Sequence, residues 1–161
     1  MSSERTGLLA HLDAERGHVL AAVEGLGEHD LTRPVAPSGW SIAQLLNHLT
    51  YDVEIFWAGA IVGGDTECIG LVQDGWKAQV TTGAAAVEQY RRWRRRSDAV
   101  LGEVDLDASP LWWPPEDVFP VPRFTDARGC VLRLLLETAT HAGHLDIVRE
   151  QIDGRQHLVV G

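Results

Sequence analysis

Glu137-Thr-Ala-Thr-His141-Ala-Gly-His144-Leu-Asp146-Ile-Val-Arg149-Glu150 is the stretch that decides the fold. It lies inside an apolar segment that runs from Cys130 to Ile152. At about 100° per residue, Leu134, Glu137, His141, His144 and Val148 fall on one side of a helix. Apolar residues above and below set that side against a core, so two imidazoles and a carboxylate turn inward. A buried polar group left unsatisfied costs roughly 1–3 kcal/mol. A shared metal ion would satisfy all three groups, and so would a hydrogen-bond network. Either way, a helix with such a stripe requires partner helices to cover it.

Three other segments carry the same periodicity. From Glu4 to Gly27, Leu8, Leu9, Leu12, Val19, Leu20, Val23 and Leu26 recur at helical spacing, with Ser2 or Ser3 as a cap. On this helix His11, Glu15 and His18 share a flank that reads as exposed and polar. Ser41 and Gln44 fit a capping box, and Trp40 with Leu45 fits a hydrophobic staple. That start predicts a helix through Leu45, Leu49, Val53, Phe56, Trp57 and Ile61, ending at Gly63-Gly64. His48 lies in its middle with Asp52 one turn on, placed to orient the imidazole through its second nitrogen. A third helix is predicted from Thr82 to Val104 and the fourth from Asp126 to Ile152, with Gly154 just beyond.

Between these segments lie connections of different character. Glu28 to Gly39 holds Pro34, Pro37 and Gly39. Asp65 to Thr81 has no sustained period and reads as a long connection with at most a short helical piece. Asp105 to Arg128 holds Pro110, Pro114, Pro115, Pro120 and Pro122, which exclude a helix interior. Its Trp112, Trp113 and Phe119 either cover a pocket mouth or plug the end of a bundle. Strand-like alternation is nearly absent. The expectation is one all-α domain over residues 1–161, a four-helix bundle with long second-to-third and third-to-fourth connections.

Composition fits a globular chain, with 45% hydrophobic and 23% charged residues over 161 positions. A formal charge of −9 disfavours nucleic acid and anionic membranes, which attract net positive surfaces. The arginine run at Arg91, Arg92, Arg94, Arg95 and Arg96 reads as a solvated helix face. Cys68 and Cys130 have no motif spacing and read as isolated thiols. No apolar run approaches the ~20 residues that span a bilayer, and no leader follows Met1, so a cytoplasmic protein is expected.

Three ligands and an open position make a catalytic metal site, and helices facing across a bundle build such sites. His48 on the second helix, with His141 and His144 on the fourth, supplies three imidazoles. Glu137 stands one turn before His141, so His48, Glu137 and His141 form an alternative triad. Spacing leaves both sets open. It also leaves open a bundle without metal or catalysis, dimeric or binding a small ligand, whose core histidines are simply hydrogen-bonded.

Trp40-Ser41-Ile-Ala-Gln-Leu45-Leu-Asn-His48-Leu49, then His141-Ala-Gly-His144-Leu-Asp146 and Ile152-Asp-Gly154, resembles the DinB/YfiT-like superfamily, in a largely actinobacterial branch. The resemblance spans the first helix to Gly154. It implies a four-helix bundle with a long crossover, often dimeric. It also implies a divalent metal, zinc or nickel, held by one histidine of the second helix and two of the last. Relatives include a mycothiol-dependent maleylpyruvate isomerase and bacillithiol and mycothiol S-transferases. Carried onto this chain, the ligands are His48, His141 and His144, with Glu137 as substitute ligand or base. Glu137 or Asp52 would orient ligands or shuttle protons. The implied activity is that of a thiol transferase or hydrolase, in which a metal-activated thiol, such as mycothiol, or water attacks a small electrophile. Arg133 and Arg149 are candidate anion contacts, with ion pairing as their alternative.

Overall fold

The computed structural model describes residues 3–157, and every regular element among them is helical. They are α1 (Ser3–Val23), α2 (Glu28–Thr32), α3 (Ile42–His48), a π-helical segment π1 (Leu49–Val62), α4 (Thr66–Gly70), α5 (Gly83–Glu103) and α6 (Ala127–Asp153). The helix starts follow their polar caps. Ser41 Oγ accepts from the Gln44 N–H at 3.3 Å while Gln44 Oε1 accepts from the Ser41 N–H at 2.9 Å, completing the capping box. Thr82 Oγ1 accepts from the Ala85 N–H and Asp126 Oδ1 from the Gly129 N–H, single caps for α5 and α6. Gly154 closes α6 at φ 75°, a left-handed conformation that a side chain would strain.

Several expectations need correction. The first helix ends at Val23 rather than Gly27, where Gly25 turns the chain at φ 77°. The following connection contains α2, whose Glu28 carboxylate accepts from the Gly83 N–H at 2.7 Å and so serves the start of α5. The helix predicted from Ser41 to Gly63 is α-helical only to His48. It then widens into i→i+5 bonding through π1. The expected cap at Ser2 lies outside the described residues, and Ser3 already belongs to α1.

The π1 segment is the axis of the structure. Of its 14 residues only Tyr51 and Asp52 escape full burial, as expected of a helix that is apolar on every side. It packs against α5 and α6, while α6 also lies along α1 and α3 along α5. One continuous core joins Leu12 and Val19 to Leu45, Leu49, Tyr90 and Leu134. Buried in it is an ion pair that the apolar pattern conceals. Arg16 Nε donates to Glu54 Oε1 at 2.8 Å, and its Nη1 donates to Asp98 at 2.7 Å. This joins α1, π1 and α5.

The long 104–126 connection folds back on π1. The Trp112 N–H donates to Ile61 O at 3.2 Å, Phe119 meets Phe56 edge-on at 5.2 Å, and Phe124 stacks on Trp57 at 5.5 Å. Arg91, Arg92 and Arg95 of the arginine run are exposed, while half-buried Arg94 pairs with Asp13 and half-buried Arg96 with Asp65 and Glu67. Arg149 is buried, and its Nη1 donates to the carbonyls of Ala22 and Glu24 at the end of α1. No helix among the described residues is long and apolar enough to cross a membrane.

Candidate metal centre

Three helical segments bring the expected residues to one place. His48 is the last residue of α3, Asp52 lies in the first turn of π1, and Glu137, His141 and His144 follow one another along α6. His48 Nε2, Glu137 and His141 offer ligand atoms that all lie within 4.8 Å of one another. Glu137 Oε2 is 3.6 Å from His48 Nε2 and 3.5 Å from His141 Nε2. His144 stands beside this group, its Nδ1 3.2 Å from His141 Nδ1, on the exposed side of α6.

Each of the three converging groups is held from behind. The Nδ1–H of His48 donates to Asp52 Oδ2 at 2.6 Å, which leaves Nε2 as the bare nitrogen facing the cluster. The Gly75 N–H in turn donates to the Asp52 carboxylate. Arg133 holds Glu137 Oε1 at 2.5 Å and leaves Oε2 toward the imidazoles. His144 meets the outer nitrogen of His141. Such partners fix tautomer and ring direction in metal sites.

Two further observations test whether these residues suit a cation. His48 Nε2 is buried and has no hydrogen-bond partner, a costly arrangement unless an electrophile meets its lone pair. Burial first, and the neighbouring His48 and His144 second, lower His141 to about 4 against the upward pull of Glu137, so its imidazole is neutral near pH 7. Two imidazoles and a carboxylate are a ligand set used by catalytic zinc, with a fourth position open. The residues fit. A second group, His18, Asp146 and His157, differs in this respect. His18 Nε2 and Asp146 Oδ1 already satisfy each other at 2.7 Å, which also removes His18 from the exposed flank expected for it.

The 65–81 connection, to whose Gly75 and Trp76 the sequence assigned no site role, covers the cluster. Trp76 stacks on His48 with centroids 4.6 Å apart and 17° between planes, and it meets His141 edge-on at 5.8 Å. A β-carbon at Gly75 would come within 2.7 Å of both Asp52 Oδ2 and the His48 Cα, so only glycine fits there. The Asp74-Gly75 turn signal inside an otherwise patternless connection was the available clue.

Two clefts open on the cluster. One, of about 520 Å³, is lined by Ser38, Trp40, Gln44, Trp76, His141 and His144. The other, of about 440 Å³, reaches His48 and Glu137 between Phe56, Trp57, Val72 and Phe119. The Pro-rich connection thus supplies both core packing, through Trp112 and Trp113, and a cleft wall, through Phe119. Cys68 and Cys130 are free and buried, and burial raises their thiols to about 11 and about 12, so neither is a nucleophile near pH 7.

Comparison with curated proteins gave no match. The model of the mycothiol-S-transferase family, by contrast, matches residues 7–154, a span that takes in α2 to α6, all but the first turn of α1, and every residue of the cluster. The chain therefore belongs to the mycothiol-S-transferase family, within the DinB/YfiT-like superfamily.

Proposed function

We propose that this chain is a divalent-metal-dependent S-transferase that joins a low-molecular-weight thiol, mycothiol, to a small electrophile. The observation that carries the reading is the buried, unpartnered His48 Nε2 facing Glu137 and His141. In this reading His48, Glu137 and His141 hold zinc or nickel, and His144 fixes His141 as Asp52 fixes His48. A bound divalent ion would supply Lewis acidity that brings a thiol to its thiolate near neutral pH.

The residues around it do the remaining work. Asp52 keeps the His48 lone pair aimed at the cluster, and Arg133 keeps one Glu137 oxygen free. Trp76 shields both imidazoles from water. The S–H proton leaves to solvent through the open cleft, the sulfur pair forms the new C–S bond, and the leaving group departs with the electrons of the bond it breaks. Because both cysteines are buried and raised, the reacting thiol comes from outside the chain.

The same reading takes residues 1–161 as one DinB-like four-helix bundle, acting in the cytoplasm as a homodimer. The continuous core supports the first part. The exposed Leu132, Leu136 and Ile147 on α6 support the dimer. The rival, a non-catalytic bundle with hydrogen-bonded core histidines, accounts poorly for the bare His48 nitrogen.

Elemental analysis of purified protein tests the proposal. It expects about one divalent ion per chain, lost in His48→Ala, and conjugate formation from mycothiol that depends on the ion. Metal-free protein that conjugates as well as loaded protein would overturn it.

A further inference from the structure

Resting on the transferase reading, we infer that the two clefts divide the substrates. The thiol and its polyhydroxylated headgroup occupy the Trp40–Trp76 cleft, and an apolar electrophile occupies the Phe56–Phe119 cleft.

The linings differ in kind. In the first cleft two indoles stand edge-on with centroids 6.2 Å apart, among the Ser38 hydroxyl, the Gln44 amide and the His144 imidazole. The C–H face of a sugar ring is weakly positive and matches the negative face of an indole, while its hydroxyls need polar partners at the edge. Aromatic faces framed by small polar groups offer both. The second cleft has a wall of Phe56, Trp57, Val72, Val118 and Phe119 that suits a carbon skeleton, and its charged groups are already paired, Asp52 with His48, Asp74 with Lys77 and Arg133 with Glu137.

The partition is built from one short segment. Val72, Gln73 and Asp74 line the apolar cleft, and Trp76 lines the other with its ring on His48. A sulfur entering beside His141 therefore meets a carbon entering beside His48 and Glu137 at the cluster, each from its own cleft. The reaction joins them as before: the thiol loses its proton to water, a C–S bond forms, and the carbon's leaving group departs as an anion.

Calorimetry with unreactive probes tests this without relying on turnover. S-methylmycothiol has a blocked sulfur, and 2,4-dinitrotoluene has no leaving group. Ser38→Trp and Val118→Asp change exposed rim positions, one in each cleft, so folding is retained. Wild type is expected to bind both probes at once. Ser38→Trp should weaken S-methylmycothiol by about tenfold or more and leave dinitrotoluene unchanged, and Val118→Asp should do the reverse. N-acetyl-S-methylcysteine, without the headgroup, should bind weakly and ignore Ser38→Trp. Competition between the probes, swapped sensitivities, or no response to either variant would overturn the assignment. If wild type still forms metal-dependent conjugate in that event, the cleft assignment alone has failed. Loss of that dependence would instead bring down the function proposed above.

Discussion

The Gly75 N–H donates to both carboxylate oxygens of Asp52, at 3.1 and 3.0 Å, from a backbone that leaves no room for a β-carbon. Asp52 in turn holds His48, so a glycine outside the cluster sets the direction of a nitrogen within it. Gly75→Ala must displace either Asp52 or the His48 backbone. Metal affinity should fall by about 10–100-fold, the usual cost of losing an orienting partner. Competition against a chromophoric chelator measures it. Asp52→Asn should move affinity in the same direction, and unchanged affinity in both variants would refute the role given to Asp52.

Metal removal should lower the melting temperature of the wild type. A ligand at 100 times its Kd stabilises by about 2.7 kcal/mol if it ignores the unfolded chain. Thermal melts with and without chelator should differ for the wild type and coincide for His48→Ala. Coincident wild-type melts would favour the metal-free bundle.

The depressed His141 gives metal-free protein a defined pH response. Between the ordinary value of 6.5 and about 4, the unfolded chain binds a proton at this residue that the native chain refuses. Stability therefore declines as pH falls through that window and levels off below it. Urea titrations of chelated protein at several pH values should show this slope. It should be shallower in His141→Phe.

Arg16 and Glu54 are each 1% exposed, so neither charge has solvent to fall back on. Replacing Arg16 alone by Met should cost about 3–5 kcal/mol, because it strands the Glu54 carboxylate. Changing Glu54 to Leu as well should recover much of that loss. Urea midpoints for the single and double variants provide the comparison, and a double variant less stable than Arg16→Met would count against it.

Both thiols should resist modification in the native protein. With Cys68 pushed up to about 11 and Cys130 to about 12, and both buried, maleimide at pH 8 should label neither until denaturant is added. Prompt native labelling would also reopen the question of which thiol reacts.

The all-helical fold was legible because its signals are local. Ser41 with Gln44, Thr82, Asp126 and Gly154 stand where the helices begin and end, and each acts through neighbours a few residues away. The approach of His48 to Glu137 and His141 followed from placing their stripes against one core. What stayed hidden depends on distant partners. Arg16 resembles any surface arginine until Glu54 and Asp98 are seen around it. The α-to-π change after His48 alters the backbone without altering the apolar character that periodicity reports. Glu137 and His144 are both within a turn of His141, so spacing could not rank them; the Arg133 contact and the 3.2 Å approach of two imidazoles distinguish their surroundings. Gly75 and Trp76 sit in a connection whose shape is set by what it covers.

The Trp76 partition also bears on the order of events. A reactive centre approached from one mouth makes the second reactant wait for the first to enter or leave. If each reactant has its own cleft, as inferred above, neither blocks the other, and the conjugate can withdraw through either opening. Initial-velocity lines for the two substrates should then intersect rather than run parallel, and each product should inhibit through the cleft it shares with its parent.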